Sequence, residues 1–139
     1  MLARLVHDLA DAVVICDPDG DIMLWNDAAT RLFGWTAADV VGTSLDIIIP
    51  ERFRDRHWTG YRTVMATGKT AYGTKLLEVP GQHRDGTKLS IAFTVTLLTD
   101  PDNGTCTGIA AVIRDDTEAW QQRRTLRAEL SELRAAHPA

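Results

Sequence analysis

Alternation of apolar with polar or small residues marks the clearest element of the chain. Leu89, Ile91, Phe93, Val95 and Leu97 alternate with Ser90, Ala92, Thr94 and Thr96. Because successive side chains of a strand point to opposite faces, this period of two predicts a strand with one buried face.

Shorter apolar runs predict the remaining strands. Residues 12–16 and 22–25 flank Asp17-Pro18-Asp19-Gly20, which is typical of a hairpin turn. Further strands are predicted around residues 76–79, before a turn over Pro80–Gly86, and over residues 108–113. With helices inserted between the second and third strands, the order predicts an α+β fold, a five-stranded antiparallel sheet with helices covering one face.

Apolar residues at helical spacing predict the helices. Residues 2–10 read as a short N-terminal capping helix, and residues 28–33 as a helix that follows Asn26 as its cap. A capping box at Thr36-Ala37-Ala38-Asp39 predicts one further helical turn. The longest helix is predicted from Pro50 to about Thr67, where Gly68 follows as the stop.

The C-terminal segment differs in character, because its apolar residues form a narrow seam among charged ones. Ala119, Arg123, Leu126, Leu130 and Leu133 follow steps of four, three, four and three residues. An isolated helix of this length is marginal in water, which favours packing on its own domain or on a second copy. We expect a capping helix over 1–10, a single folded domain over 11–116, an amphipathic helix over 117–139, and a homodimer.

Composition limits the classes of function. A chain of 139 residues with 45% hydrophobic residues supports one core, and a net charge of −4 gives no basic footprint for nucleic acid. No apolar run reaches the roughly 18 to 20 residues of a membrane span, so we expect a cytoplasmic protein without membrane contacts. Cys16 and Cys106, 90 positions apart, are expected to be buried thiols.

His57 is the residue of most chemical interest on the long helix. It lies four residues after Phe53 and four before Tyr61, and Val64 follows three positions later. This spacing predicts that the imidazole lies on an apolar stripe facing the core. Haem iron is a natural partner for such a side chain, and Gly60 would let a porphyrin edge approach the backbone. A hydrogen-bonded histidine in the core or at its rim is the alternative.

Several phrases in the right order resemble a known family. They are Asp11-Ala12-Val13-Val14 with Asp19-Gly20, Trp25-Asn26-Asp27-Ala28-Ala29, Leu32-Phe33-Gly34-Trp35, Arg84-Asp85-Gly86 and Arg114-Asp115-Asp116-Thr117-Glu118. Over roughly residues 5–120 the chain resembles a PAS domain of the bacterial S-box type. The resemblance implies a sensor module that is not an enzyme.

The stretch from Arg56-His57 to Arg84-Asp85-Gly86 resembles the haem-binding PAS subgroup of oxygen-sensing histidine kinases. The resemblance implies haem b with His57 as the iron ligand and a diatomic gas (O₂, CO or NO) or redox state as the signal. Tyr72, Phe93 and Val95 match other wall positions of that subgroup, and we include Ile91 from the same strand face. Arg54, Arg62 and Thr63 are candidate partners of the propionates, with Arg62 included in the site. Lys75 and Met65 are weaker candidates for a sixth iron ligand.

One position departs from the subgroup. Leu77 stands where oxygen-sensing relatives place an arginine that hydrogen-bonds the bound gas, so we expect discrimination to shift from dioxygen toward carbon monoxide. Tyr72 either supplies a substitute donor or only packs.

Other classes are excluded or kept as alternatives. A light-sensing flavin PAS domain needs a reactive cysteine in an Asn-Cys-Arg-Phe type segment on the helix before the long one. The sequence has no cysteine between Cys16 and Cys106, so that class is excluded. No nucleophile and base, and no opposed pair of carboxylates, predicts catalysis. The alternative is a haem-free PAS module that binds an organic small molecule or acts as a dimerisation or protein-interaction element. In either case the downstream effector protein is unknown.

Overall fold

The computed structural model describes residues 1–70 and 73–137. The helices are α1 (Leu2–Asp8), α2 (Asp27–Phe33), α3 (Ala37–Val40), α4 (Glu51–Thr67) and α5 (Thr117–Ala136), with a 3₁₀ helix at Leu45–Ile48 between α3 and α4. The strands are β1 (Ala12–Cys16), β2 (Ile22–Trp25), β3 (Leu77–Gln82), β4 (Lys88–Thr99) and β5 (Cys106–Asp115).

The five strands form one antiparallel sheet in the order β2-β1-β5-β4-β3. The last strand, β5, therefore lies at the centre, between the first strand β1 and β4. Helices α2, α3 and α4 pack against β1, β2 and β5. The predicted fold class is confirmed.

The core lies between the inner face of the sheet and helices α2 to α4. Its most buried large side chains are Trp25, Phe33, Ile22 and Val40. Asn26 is completely buried with them; its Oδ1 accepts from the backbone N–H of Val13 at 2.9 Å, and its Nδ2 donates to the carbonyl of Val6 at 2.8 Å. This side chain joins α1, β1 and α2, because a buried amide must find partners for both of its ends. Cys16 and Cys106 are buried as expected.

The structure corrects one local prediction and adds one element that was not predicted. β3 continues through Pro80 to Gln82, so the predicted Pro80–Gly86 turn shrinks to the residues after Gln82. β3 is an edge strand, where a proline without an N–H donor is tolerated. The sequence also gave no prediction of the 3₁₀ helix at Leu45–Ile48, which Ser44 caps through its side chain.

The terminal helices leave apolar side chains uncovered. α1 contacts α2, yet Leu2 and Leu5 are exposed, so the predicted capping helix covers little of the core. On α5, Leu126, Leu130 and Leu133 are 57%, 52% and 59% exposed. Within the described residues, no helix is both long and apolar enough to cross a membrane.

Candidate functional site

Helix α4 turns one side toward the core and carries His57 at the edge of that side. Trp58, Tyr61 and Met65 are its members that pack on the core. Phe53 and Val64, on the predicted stripe, are half-buried. The core-facing line is thus rotated by about one residue from the predicted stripe, and it includes Met65 instead of Val64.

Trp58 sets this rotation through two contacts far along the chain. Its Nε1 donates to the Asp46 carboxylate at 2.6 Å. Its ring lies so close over Gly20, in the β1–β2 turn, that a methyl group added there would overlap it. Gly20 has φ +85°, a left-handed conformation that glycine adopts without strain. The rings of Trp58 and His57 lie edge to face, with centroids 4.5 Å apart.

Tyr61 fastens the same helix to the hairpin. Its side chain is buried, and its hydroxyl donates to the backbone carbonyl of Asp17. Burial, reinforced by nearby Cys16 and Asp17, raises the pKa of the Tyr61 phenol. The hydroxyl therefore remains protonated and serves as a fixed anchor. The centroids of the Tyr61 and His57 rings are 5.8 Å apart.

His57 has an unused nitrogen. The imidazole is half-buried, its Nδ1 is shielded from solvent, and none of the described residues hydrogen-bonds to that atom. Burial lowers the pKa of His57, and the Asp46 carboxylate opposes this only in part. The histidine is thus held toward its neutral form, which is the form that ligates metal ions. A buried polar atom without a partner is costly, so the site is suited to a group that engages the imidazole.

Apolar residues line the inner face of the β3–β4 side of the sheet. Leu77 is directly opposite Phe93, and Val95 is opposite Ala111. Ile91 is buried, while Leu77, Phe93 and Val95 are half-buried. The alternation of β4 places Ile91, Phe93 and Val95 on one face, as predicted. These side chains could cover an apolar ligand without presenting a charge to it.

The remaining predicted residues lie in different surroundings. Gly60 and Arg62 are exposed, and a methyl group added at Gly60 would point into open space. Thr63 and Lys75 are exposed as well. Arg54 is already engaged, because its guanidinium donates to the carbonyls of Ile49 at 3.0 Å and Asp46 at 3.2 Å. Tyr72 lies outside the described residues.

Sequence reasoning missed Trp58 and Asp46 as neighbours of His57. Trp58 was visible as the next residue, but its bond to Asp46 spans twelve positions and left no periodic signal. Two surface clefts lie away from this cluster. One, of about 240 Å³, borders Asp11, Arg31 and Arg114, and the other, of about 540 Å³, borders Glu51, Arg52 and Lys88.

Two curated proteins are similar in sequence to this chain over much of its length. The chain is 32% identical over 135 residues to sensor protein FixL of Bradyrhizobium diazoefficiens. The aligned region covers 95% of this chain and 26% of FixL. It is 28% identical over 92 residues to oxygen sensor protein DosP of Escherichia coli, covering 66% of this chain and 11% of DosP. The chain therefore spans about a quarter or less of these two proteins.

Solved structures agree on the fold. The PAS domain of a protein from Colwellia psychrerythraea has a TM-score of 0.72 and 20% identity, covering 84% of this chain and 95% of its own. An RNA-binding light-oxygen-voltage receptor has a TM-score of 0.76 and 22% identity, covering 99% of this chain and 38% of its own. The family model described as PAS fold matches residues 1–115. This chain therefore belongs to the PAS family.

Proposed function

We propose that this PAS domain binds haem b through His57 and reports a diatomic gas or the redox state of the iron. One observation carries this proposal: Nδ1 of His57 is shielded from solvent and has no hydrogen-bond partner among the described residues. Burial also lowers the pKa of His57 and so holds the imidazole toward its neutral form. The sequence resemblance to the haem-binding subgroup supports the same assignment. So does the relation to DosP, which is named an oxygen sensor.

The described residues would have different roles in such a site. His57 would ligate the iron, and Tyr61 holds α4 in place through its bond to Asp17. Leu77, Ile91, Phe93 and Val95 would exclude water from an apolar ring system. Phe53 and Val64, half-buried on either side of His57 along α4, would extend the apolar contact. Bound haem would supply an iron centre that takes up a diatomic ligand or changes its redox state.

The acidic groups of haem need polar partners at the surface. Arg62 is exposed one residue after Tyr61, and Thr63 follows it. The Thr63 hydroxyl donates to the Thr59 carbonyl at 3.1 Å, and Arg54 is likewise engaged with backbone carbonyls. The Arg62 guanidinium has no such partner among the described residues and can meet a solvent-facing carboxylate. We therefore assign a propionate contact to Arg62 first, with Thr63 and Arg54 as candidates that would first have to leave their backbone partners. Gly60, two residues before Arg62, adds no side chain to this surface.

Haem titration followed by absorption spectroscopy tests this function. Wild-type protein should bind one equivalent and develop a Soret band, and His57→Ala should abolish or severely weaken it. His137→Ala, in the exposed end of the chain, is the matched control and should bind as the wild type does. A Soret band unchanged in His57→Ala would remove His57 from the site, and wild-type protein without any band would favour the haem-free module.

The proposed output is a change in a homodimer, read by an effector protein, with the domain itself acting as a non-catalytic module. Leu126, Leu130 and Leu133 form an exposed seam that a second copy of α5 would bury. Sedimentation should show a dimer at micromolar concentration that weakens when the chain is cut after Asp116. A monomeric uncut protein would contradict this output.

A further inference from the structure

Backbone and side-chain hydrogen bonds anchor the beginning of helix α5 to the domain. The backbone N–H of Asp116 donates to the Ser90 carbonyl at 2.7 Å, and the Ser90 N–H donates to the Thr117 hydroxyl at 3.0 Å. After this anchor most side chains of the helix are exposed, and its leucine seam begins at Leu126. A residue between the anchor and the seam can therefore set the direction in which the seam leaves the domain.

Arg123 is that residue. Among the described residues from Glu118 onward it is the one that is not exposed. Its Nη2 lies 2.8 Å from Oδ2 of Asp116 and 3.2 Å from Oε2 of Glu78 on β3. The position belongs to the apolar seam by spacing, where a charged side chain is unexpected. The structure explains the exception, because the guanidinium faces the sheet instead of a partner helix.

Glu78 connects this contact to the candidate site. It follows Leu77 directly, and neighbouring side chains of a strand point to opposite faces. Leu77 thus lines the inner wall beside Phe93, while Glu78 meets α5 on the outer face. β3 is the edge strand and pairs only with β4 in the sheet order. An edge strand can shift without breaking a second ladder of hydrogen bonds.

We propose that Arg123 is a positioning residue that couples the Leu77 wall to the direction of α5, an inference that rests on the proposed ligand site. A ligand that displaces Leu77 moves Glu78 with it and loosens Glu78 from Arg123. Arg123 keeps its bond to Asp116, so the helix is released on one side and its seam swings. Half-exposed ion pairs contribute little to stability and are screened by salt, which makes this contact easy to break and reform.

The tether itself is tested first in protein without haem. Arg123→Gln and Glu78→Gln should each speed amide hydrogen exchange in the first turns of α5 by about two- to fivefold. The double variant should gain little beyond Arg123→Gln, because that variant already removes the contact with Glu78 together with the bond to Asp116. Arg124→Gln is the matched control, since that arginine lies over the Trp120 ring at 5.5 Å. Unchanged exchange in both variants, or fully additive effects, would overturn the tether.

The coupling is tested next in haem-loaded protein with carbon monoxide as the probe. Wild-type protein should show faster exchange in α5 on adding the gas, and Glu78→Gln should lose this response while its Soret band still shifts. A gas response retained in Glu78→Gln would overturn the coupling and leave the haem proposal intact. Wild-type protein without a Soret band would instead overturn the proposed function, while the first experiment would still decide whether the tether exists.

Discussion

The two sides of the sheet are packed to different degrees. Around the β1–β2 hairpin, Trp25, Phe33 and Asn26 are at most 1% exposed. On the β3–β4 side, Leu77, Phe93 and Val95 are only half-buried, although all three are apolar. The first side is completed by its own side chains, whereas the second leaves apolar surface to be covered. A sensor needs both, because a rigid frame lets a change in the adaptable part be transmitted.

The largest expected difference between the two sides of the sheet is in the unfolding free energy lost when one aromatic side chain is truncated on each side. Trp25→Ala should lose about 3–5 kcal/mol of unfolding free energy, because it removes a buried ring that packs 5.5 Å from Phe33. Phe93→Ala should lose only about 1–2 kcal/mol in the haem-free protein, because its ring is half-buried. Urea denaturation measures both. If Trp25→Ala does not fold, Phe33→Leu replaces it; equal losses on the two sides would contradict the difference in packing.

A charged hydrogen-bond donor on the β3–β4 side should change the preference between dioxygen and carbon monoxide. Leu77→Arg should strengthen dioxygen binding by about tenfold or more, since a hydrogen bond to a charged group contributes about 1.5–3 kcal/mol. Carbon monoxide should gain less, because it develops less charge separation. Leu77→Met is the apolar control of similar volume. Equal changes for both gases, measured by spectroscopic titration, would show that residue 77 does not face the bound ligand.

The smallest expected effect is a pH dependence of stability due to His57. Burial lowers its pKa in the folded protein below the ordinary value of 6.5. The unfolded chain therefore binds more protons just below pH 6.5, so stability is full above that pH and falls as pH falls toward the lowered pKa. His57→Gln should lack this decrease in haem-free protein, and His137→Gln should retain it. Identical pH profiles for wild type and His57→Gln would contradict a burial-shifted histidine.

Local chemistry explains why much of the fold was predictable. The hairpin over residues 12–25, the capping box at Thr36 and the alternation of β4 depend on neighbours in sequence, and the structure has all three. The end of α4 at Gly68 is equally local, because this glycine adopts a left-handed conformation with φ +67°. Patterns of this kind need no knowledge of the rest of the chain.

The rotation of α4 could not be predicted in the same way. It depends on the fit of Trp58 over Gly20 and on its bond to Asp46, which are contacts between distant segments. Spacing alone placed His57 at the centre of the core-facing side, whereas the structure puts it at the edge beside Trp58. Likewise, helical spacing assigned Arg123 to the apolar seam. Spacing within α5 carries no information about Glu78, which lies 45 positions earlier in the chain.

The central claim, that His57 is the residue through which haem is held, is tested most directly by chemical rescue. His57→Gly removes the imidazole, and free imidazole added to the variant with haem can occupy the vacated place. We predict that His57→Gly alone retains no haem through gel filtration, and that with imidazole added it elutes with haem and with the band position of the wild type. A band that persists in His57→Gly without imidazole would contradict the claim.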